Sequence, residues 1–217
     1  VDAGGSITLM GNYPNNYGYE NGGIGTGIFD DFKFGFHMNK TYSISGNPSS
    51  MENEDPAVFV TYTRSSHMGR LFYEESNLVD ARGLVTSQYT KIRYLHFHET
   101  FRKSGLVYPP SFENVEWIDR EGFYYSFDGC SNLKEVCNLS KLKQLNDRQV
   151  LDSMFRDCVK ITKGLDLRNL TTFGPTRPDG GLASLYTGCT SLTEVYAPNI
   201  STWDASYAVN WLQNVAP

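Results

Sequence analysis

Three segments of the chain repeat one another without gaps. Ser126-Phe127-Asp128-Gly129-Cys130-Ser131-Asn132-Leu133-Lys134-Glu135-Val136 is followed by Met154-Phe155-Arg156-Asp157-Cys158-Val159-Lys160-Ile161 and by Leu185-Tyr186-Thr187-Gly188-Cys189-Thr190-Ser191-Leu192-Thr193-Glu194-Val195. The shared frame is aromatic-x-x-Cys-x-x-Leu/Ile, with a further apolar position three or four residues on, and the Cys positions are 28 and then 31 residues apart. A unit of that length cannot bury its apolar face alone, so such a period belongs to a solenoid in which each repeat stacks on the last. The inward set is then Phe127, Cys130, Leu133 and Val136, followed by Phe155, Cys158 and Ile161, and by Tyr186, Cys189, Leu192 and Val195.

Weaker copies extend the pattern. Leu71-Phe72-Tyr73-Glu74-Glu75-Ser76-Asn77-Leu78 keeps the aromatic residue and the Asn-Leu but carries Glu75 where Cys would sit. Phe112-Glu113-Asn114-Val115-Glu116-Trp117-Ile118 keeps the Asn-Val, Lys91 to Phe97 reads as another strand turn, and Asn210-Trp211-Leu212 resembles the opening of one more coil. The repeats are expected over 67–217 and onward past Pro217. Trp117, Trp203 and Trp211 fall at repeat positions and read as core or edge packing.

A Cys at one fixed place in every coil stacks in the interior as a small apolar residue. Parallel side-chain vectors suit disulfide geometry poorly, so the thiols are read as free. Cys137 lies outside the frame and is expected to be partly exposed.

The Phe-x-Gly-Cys-Ser-Asn-Leu and Tyr-Thr-Gly-Cys-Thr-Ser-Leu-Thr-Glu-Val segments resemble the leucine-rich repeats of the BspA-like family, found in surface proteins of gut and oral bacteria and of their phages. The likeness runs from Arg70 to Pro217, most closely over the last ninety or so residues. The stretch Phe173-Gly174-Pro175-Thr176-Arg177-Pro178-Asp179-Gly180-Gly181 departs from the family's tidier period. The resemblance implies an α+β or β-rich repeat fold outside the cell, on a virion or a bacterial surface. It implies a phage surface or tail-fibre component, with a bacterial adhesin or an accessory domain of a glycan-processing enzyme as alternatives.

Residues 1–66 read as a separate β-rich region, either a partial sandwich or a cap. Short strands are expected at Ile7 to Met10, Phe32 to Phe36, Lys40 to Ser45 and Ala57 to Tyr62, separated by Gly- and Pro-containing turns. Asn39 to Ile44 with the following Val-Phe-Val-Thr-Tyr faintly resembles jelly-roll pieces of phage tail proteins and glycan-binding domains. A cap would cover the apolar surface and strand edges that an end coil leaves open. Val1-Asp2-Ala3-Gly4-Gly5 is polar and lacks an initial Met, which reads as a processed or internal start rather than a signal peptide.

Candidate sites are few. Tyr13, Tyr17 and Tyr19 lie in a Gly/Asn loop too polar for core; they either stack on a sugar or protein partner or pack as a lid. His96 and His98 would share one face of a strand, with Glu99 opposite, but no third ligand is evident and no metal is expected. Gly22-Gly23-Ile24-Gly25-Thr26-Gly27 lacks the Gly-Lys-Ser/Thr ending of a phosphate loop and reads as a flexible connection. Asp30, Asp31, Glu52 and Asp55 do not match a calcium loop and read as solvated acids. Glu113 and Glu116 are a carboxylate pair of the kind chance supplies, and no catalytic motif occurs. The sequons at Asn39, Asn138, Asn169 and Asn199 are incidental in a bacterial or phage product.

A net charge of −5 with no basic run argues against nucleic acid, and no apolar stretch approaches a membrane span. The expectation is a non-enzymatic binding or structural protein without cofactor. Its partner would be a protein or glycan at a cell surface, and the chain is open to homo-oligomerisation or a place in a larger assembly.

Overall fold

The computed structural model describes residues 6–9, 41–46, 68–173, 181–199 and 205–215. Among the described residues are nine short strands: β1 (Ser6–Leu9), β2 (Tyr42–Gly46), β3 (Leu78–Leu84), β4 (Lys91–Ile92), β5 (Trp117–Ile118), β6 (Gln144–Leu145), β7 (Lys163–Asp166), β8 (Thr172–Phe173) and β9 (Glu194–Tyr196). A single-turn 3-10 segment spans Ala205–Ala208. The fold is β-rich, and every strand pair is parallel.

Parallel neighbours need a long return connection. Here that connection is made largely of turns. β4, β5, β6 and β8 pair in that order with Lys91 opposite Trp117, Trp117 opposite Gln144 and Gln144 opposite Thr172, offsets of 26, 27 and 28 residues. A second side carries β1-β2-β3, a bridge from Asp80 to Tyr108, and the β7–β9 pair.

The third side is a ribbon of turns rather than a strand or helix. In Phe101 to Ser104, Phe101 N donates to Ser126 O (2.8 Å), Arg102 N to Glu99 O (3.1 Å), Lys103 N to Asp128 O (2.7 Å) and Ser104 N to Phe101 O (3.0 Å). Alternate amides thus close local turns while the amides between them reach the next segment. Every fourth residue takes a positive φ, as at Leu95 (58°), Glu99 (52°) and Lys103 (57°), then Glu121 (56°), Tyr125 (55°) and Gly129 (72°). A left-handed conformation costs a non-glycine residue about 1–2 kcal/mol. The lateral hydrogen bonds hold it in place, because releasing one turn would strand donors on both sides. Glycine relieves that cost at Gly129 and Gly188, both directly before a Cys. A Cβ built on Gly188 would lie 2.2 Å from Asp157 Oδ1, so the Gly-Cys pair answers to close approach as well as to φ.

Inside the ribbon, one aromatic residue per segment stacks on the next. Phe72, Phe101, Phe127, Phe155, Tyr186 and Trp211 form a column with successive centroid separations of 5.4, 5.3, 5.3, 6.1 and 6.4 Å, the first four pairs near-parallel. Phe97 on Phe123 (5.3 Å) begins a second stack four residues earlier in the frame, with Phe112 edge-on to both. Each fully buried ring contributes about 1.5–3 kcal/mol. Beside the rings, the Cys130, Cys158 and Cys189 thiols donate to the carbonyls of Phe101 (2.9 Å), Phe127 (3.1 Å) and Phe155 (3.0 Å). Ser104 takes the same slot one segment earlier, 3.5 Å from Cys130 Sγ. All four Cys are free.

Several expectations need correction. Cys137 is not partly exposed but buried at 2%. Val195, expected inside, is 37% exposed: it belongs to β9, beyond which no strand pairs among the described residues. Val136 is half-buried against the core, while Phe127, Cys130, Leu133, Phe155, Cys158, Ile161, Tyr186, Cys189 and Leu192 are all buried. The strand expected at Lys40 to Ser45 is present as β2, which pairs in parallel with β3, and its Tyr42 and Ile44 join the same core cluster as Leu71 and Leu78. The Tyr42 hydroxyl donates to Glu75, the residue in the first segment's thiol slot (2.8 Å). Parallel pairing of β1, β2 and β3 differs from the antiparallel order of a jelly roll. Phe32 to Phe36 and Ala57 to Tyr62 lie outside the described residues.

Removing a ring from the column leaves a cavity that its neighbours cannot fill. Phe155→Ala is expected to cost about 3–5 kcal/mol in urea unfolding, against less than about 0.5 kcal/mol for Val209→Ala on the surface.

Candidate binding surface

Two outward faces hold side-chain constellations. The first is the outer face of β4-β5-β6-β8. In these two-residue strands Ile92, Ile118 and Leu145 are fully buried, so alternation turns Lys91, Trp117, Gln144 and Thr172 outward in one row. Trp117 is half-buried, and Lys91 Nζ stands 5.3 Å from its ring centroid. A polar chain borders the row: Gln144 Nε2 donates to Asn146 Oδ1 (3.3 Å), and Asn146 Nδ2 donates to Asp119 Oδ1 (3.3 Å). On the rim Lys143 pairs with Glu116 (2.9 Å), and Lys141 donates to Asn114 (2.9 Å). Their mutual hold is weak, since both partners of the ion pair are solvated. Trp117, expected in core or edge packing, is half-buried on this outer face. The signal was present in the dipeptide Trp117-Ile118, where a strand sends one of the two outward.

The second constellation runs along the ribbon. Asp128, whose side chain is 3% exposed, accepts from Arg102 Nε (2.7 Å), Arg156 Nε (2.8 Å) and Arg156 Nη2 (3.1 Å). Glu99 accepts from Arg102 Nη1 (2.7 Å) and pairs with Arg70 Nε (3.1 Å). Burial alone would raise the Glu99 carboxyl, but His98 and the two arginines outweigh it and hold it below the usual range. The guanidinium groups also cover rings: Arg70 lies over Tyr73 (4.7 Å), and Arg102 and Arg156 both lie over Tyr125 (4.7 and 4.9 Å). The same happens on the second side, where Arg82 covers Tyr108 (4.1 Å) and Arg168 covers Tyr196 (5.0 Å). Each of those two arginines is held by the Asp two residues before it.

The His pair does not form as expected. His96 and His98 sit in the turn ribbon, where positive φ at Leu95 and Glu99 breaks strand alternation. His96 is 3% exposed, against Phe97 (4.8 Å) and edge-on to Tyr89 (5.2 Å). His98 faces the surface beside Tyr124 (5.4 Å), its Nε2 3.7 Å from Glu99. Glu99 therefore lies with His98, not opposite it. Among the described residues, no three His, Cys, Asp or Glu side chains converge as metal ligands. Tyr13, Tyr17 and Tyr19, the Gly22 to Gly27 run, and Asp30, Asp31, Glu52 and Asp55 lie outside the described residues. Glu113 accepts from Ser111 and Glu116 from Lys143, so each carboxylate has its own local partner.

The thiols are chemically quiet. Burial pushes Cys130 and Cys189 up to about 12 and raises Cys137 and Cys158 as well. A thiol held neutral is a poor nucleophile.

No protein-family model matches this chain, and neither does any curated protein or solved structure.

Two outcomes follow from this geometry. At pH 8 the native protein should resist a disulfide-exchange reagent at all four Cys and react fully once unfolded; rapid labelling of Cys158 in the native state would contradict the buried column. Asp128→Ala should cost on the order of 2 kcal/mol in urea unfolding, less than a fully buried pair because both guanidinium groups still reach water.

Proposed function

We propose that this chain is a non-enzymatic binding or structural protein. In this reading it is a solenoid of BspA-like leucine-rich coils with a β-rich N-terminal cap. It is displayed outside the cell as a phage surface or tail-fibre component that contacts the host or its glycans. The observation that carries the reading is the column of ring, thiol or hydroxyl, and aliphatic chain repeated through successive segments. Where the same inward residues satisfy every coil, the outward ones are free to vary, and stacking sets them in long rows suited to recognition. The cap is supported by β2, which continues the β3 side and shares its core. The quiet thiols supply no nucleophile, which favours recognition over chemistry. Among the described residues no helix is long and apolar enough to cross a membrane.

The test is to present the folded chain to host bacterial cells and to an array of oligosaccharides, and to look for the chain in purified phage particles. Retention on cells or sugars together with recovery from particles is the expected result. A folded chain that neither binds nor copurifies would overturn the proposal, and recovery from a bacterial envelope fraction would favour the adhesin alternative.

A further inference from the structure

Among the described residues, the rings that reach the surface differ in what lies on them. Tyr73, Tyr108, Tyr125 and Tyr196 carry guanidinium groups that are themselves anchored by Glu99, Asp80, Asp128 and Asp166. Such a ring is closed, because its cover is held by hydrogen bonds at 2.6 to 3.1 Å. Trp117 is different. Its companion is the Lys91 ammonium at 5.3 Å, on a flexible four-carbon stem that can swing aside at little cost. It makes no ring–ring contact with another aromatic among the described residues, unlike Trp211, which packs on the core.

We infer that the outer face of β4-β5-β6-β8 is a saccharide-binding site, with Trp117 as the platform for a sugar ring. This deepens the glycan-contact reading above and rests on it. The ligand class follows from the chemistry around the ring. A pyranose has an apolar C–H face that an indole can cover and a rim of hydroxyls that both donate and accept. Asn146 and Gln144 supply amides, Asp119 a carboxylate and Lys91 an ammonium, so both roles are served within one or two strands of Trp117. The charges bordering the row balance, Lys91, Lys141 and Lys143 against Glu113, Glu116 and Asp119, so the face suits an uncharged sugar better than a polyanion.

The row also sets a direction. Lys91, Trp117, Gln144 and Thr172 face one another across parallel strands about 4.8 Å apart. That is close to the repeat of one sugar unit in a linear glycan. A chain lying along the stack, across the strands, would meet one outward side chain per sugar.

The experiment uses the whole chain and an array of neutral and acidic oligosaccharides, with any hit carried to isothermal titration. Trp117→Ala should weaken binding at least tenfold, Gln144→Ala and Lys91→Ala severalfold, and Trp117→Phe less than Trp117→Ala. Val209→Ala, an exposed residue outside both constellations, should leave binding unchanged. Lys91 and Gln144 point outward and are not members of the buried core, so their variants keep the test open should Trp117→Ala fail to fold. A neutral oligosaccharide that protects Trp117 from N-bromosuccinimide would support the site directly. Sugar binding that survives Trp117→Ala, or that requires acidic sugars and is lost in Arg156→Ala, would overturn this site while leaving the binding reading intact. Attachment to host cells with no saccharide retained would do the same; loss of both would sink the two proposals together.

Discussion

Everything in this molecule depends on the amide-to-carbonyl bonds that run sideways between segments roughly one repeat apart in sequence. In the ribbon they take every second amide, and in the two-residue strands they are nearly all the regular hydrogen bonding there is. A strand of two residues has no stability of its own, and a ribbon with every fourth residue left-handed has less than none. Both persist because a neighbouring segment offers the same groups at the same spacing. On the proposed solenoid reading, stability is a sum of nearest-neighbour terms, and each segment is conditional on the next.

That constraint explains which residues recur. Neighbouring backbones are held at a fixed separation, so a flat ring at a fixed frame position must lie on the ring before it, and near-parallel phenyls at about 5.3 Å are the result. Three residues on, the side chain reaches the carbonyl of the preceding segment's ring residue. A thiol does so at 2.9 to 3.1 Å, and Ser104 fits the slot as well. The frame is therefore a demand for a small side chain with a hydrogen to donate, and Cys meets it while remaining largely apolar. Outward positions carry no such demand, which is why Lys91, Trp117, Gln144 and Thr172 occupy equivalent places with nothing in common.

Much of the inward architecture was legible in the amino acids, because burial leaves a periodic trace. Phe127, Cys130 and Leu133 recur as Phe155, Cys158 and Ile161 and as Tyr186, Cys189 and Leu192. The segment with Phe101 and Ser104 is hidden in the sequence because Ser, not Cys, fills the slot three residues after the ring. The ribbon was illegible for a different reason: its left-handed positions hold Leu95, Glu99, Tyr125 and Gln149, residues whose local preferences point elsewhere. His96 and His98 were placed on one face by assuming a strand, and the turn ribbon separates them. Val195 matched the frame yet stands at an edge, because sequence pattern records a position within a repeat and not whether another strand follows. Trp117 was read as core or edge packing because it falls at a repeat position, although the adjacent Ile118 takes the inward place.

The lateral ribbon bonds can be observed directly by scalar coupling across hydrogen bonds in a deuterated, isotope-labelled sample. The Phe127 amide nitrogen should correlate with the carbonyl carbon of Met154, to which it donates at 2.9 Å, and the Lys103 amide with the carbonyl of Asp128, at 2.7 Å. Correlation of the Phe127 amide with the carbonyl of Phe123 would mean that this stretch is a helix bonded within itself, and the stacked ribbon with its ring and thiol columns would be wrong.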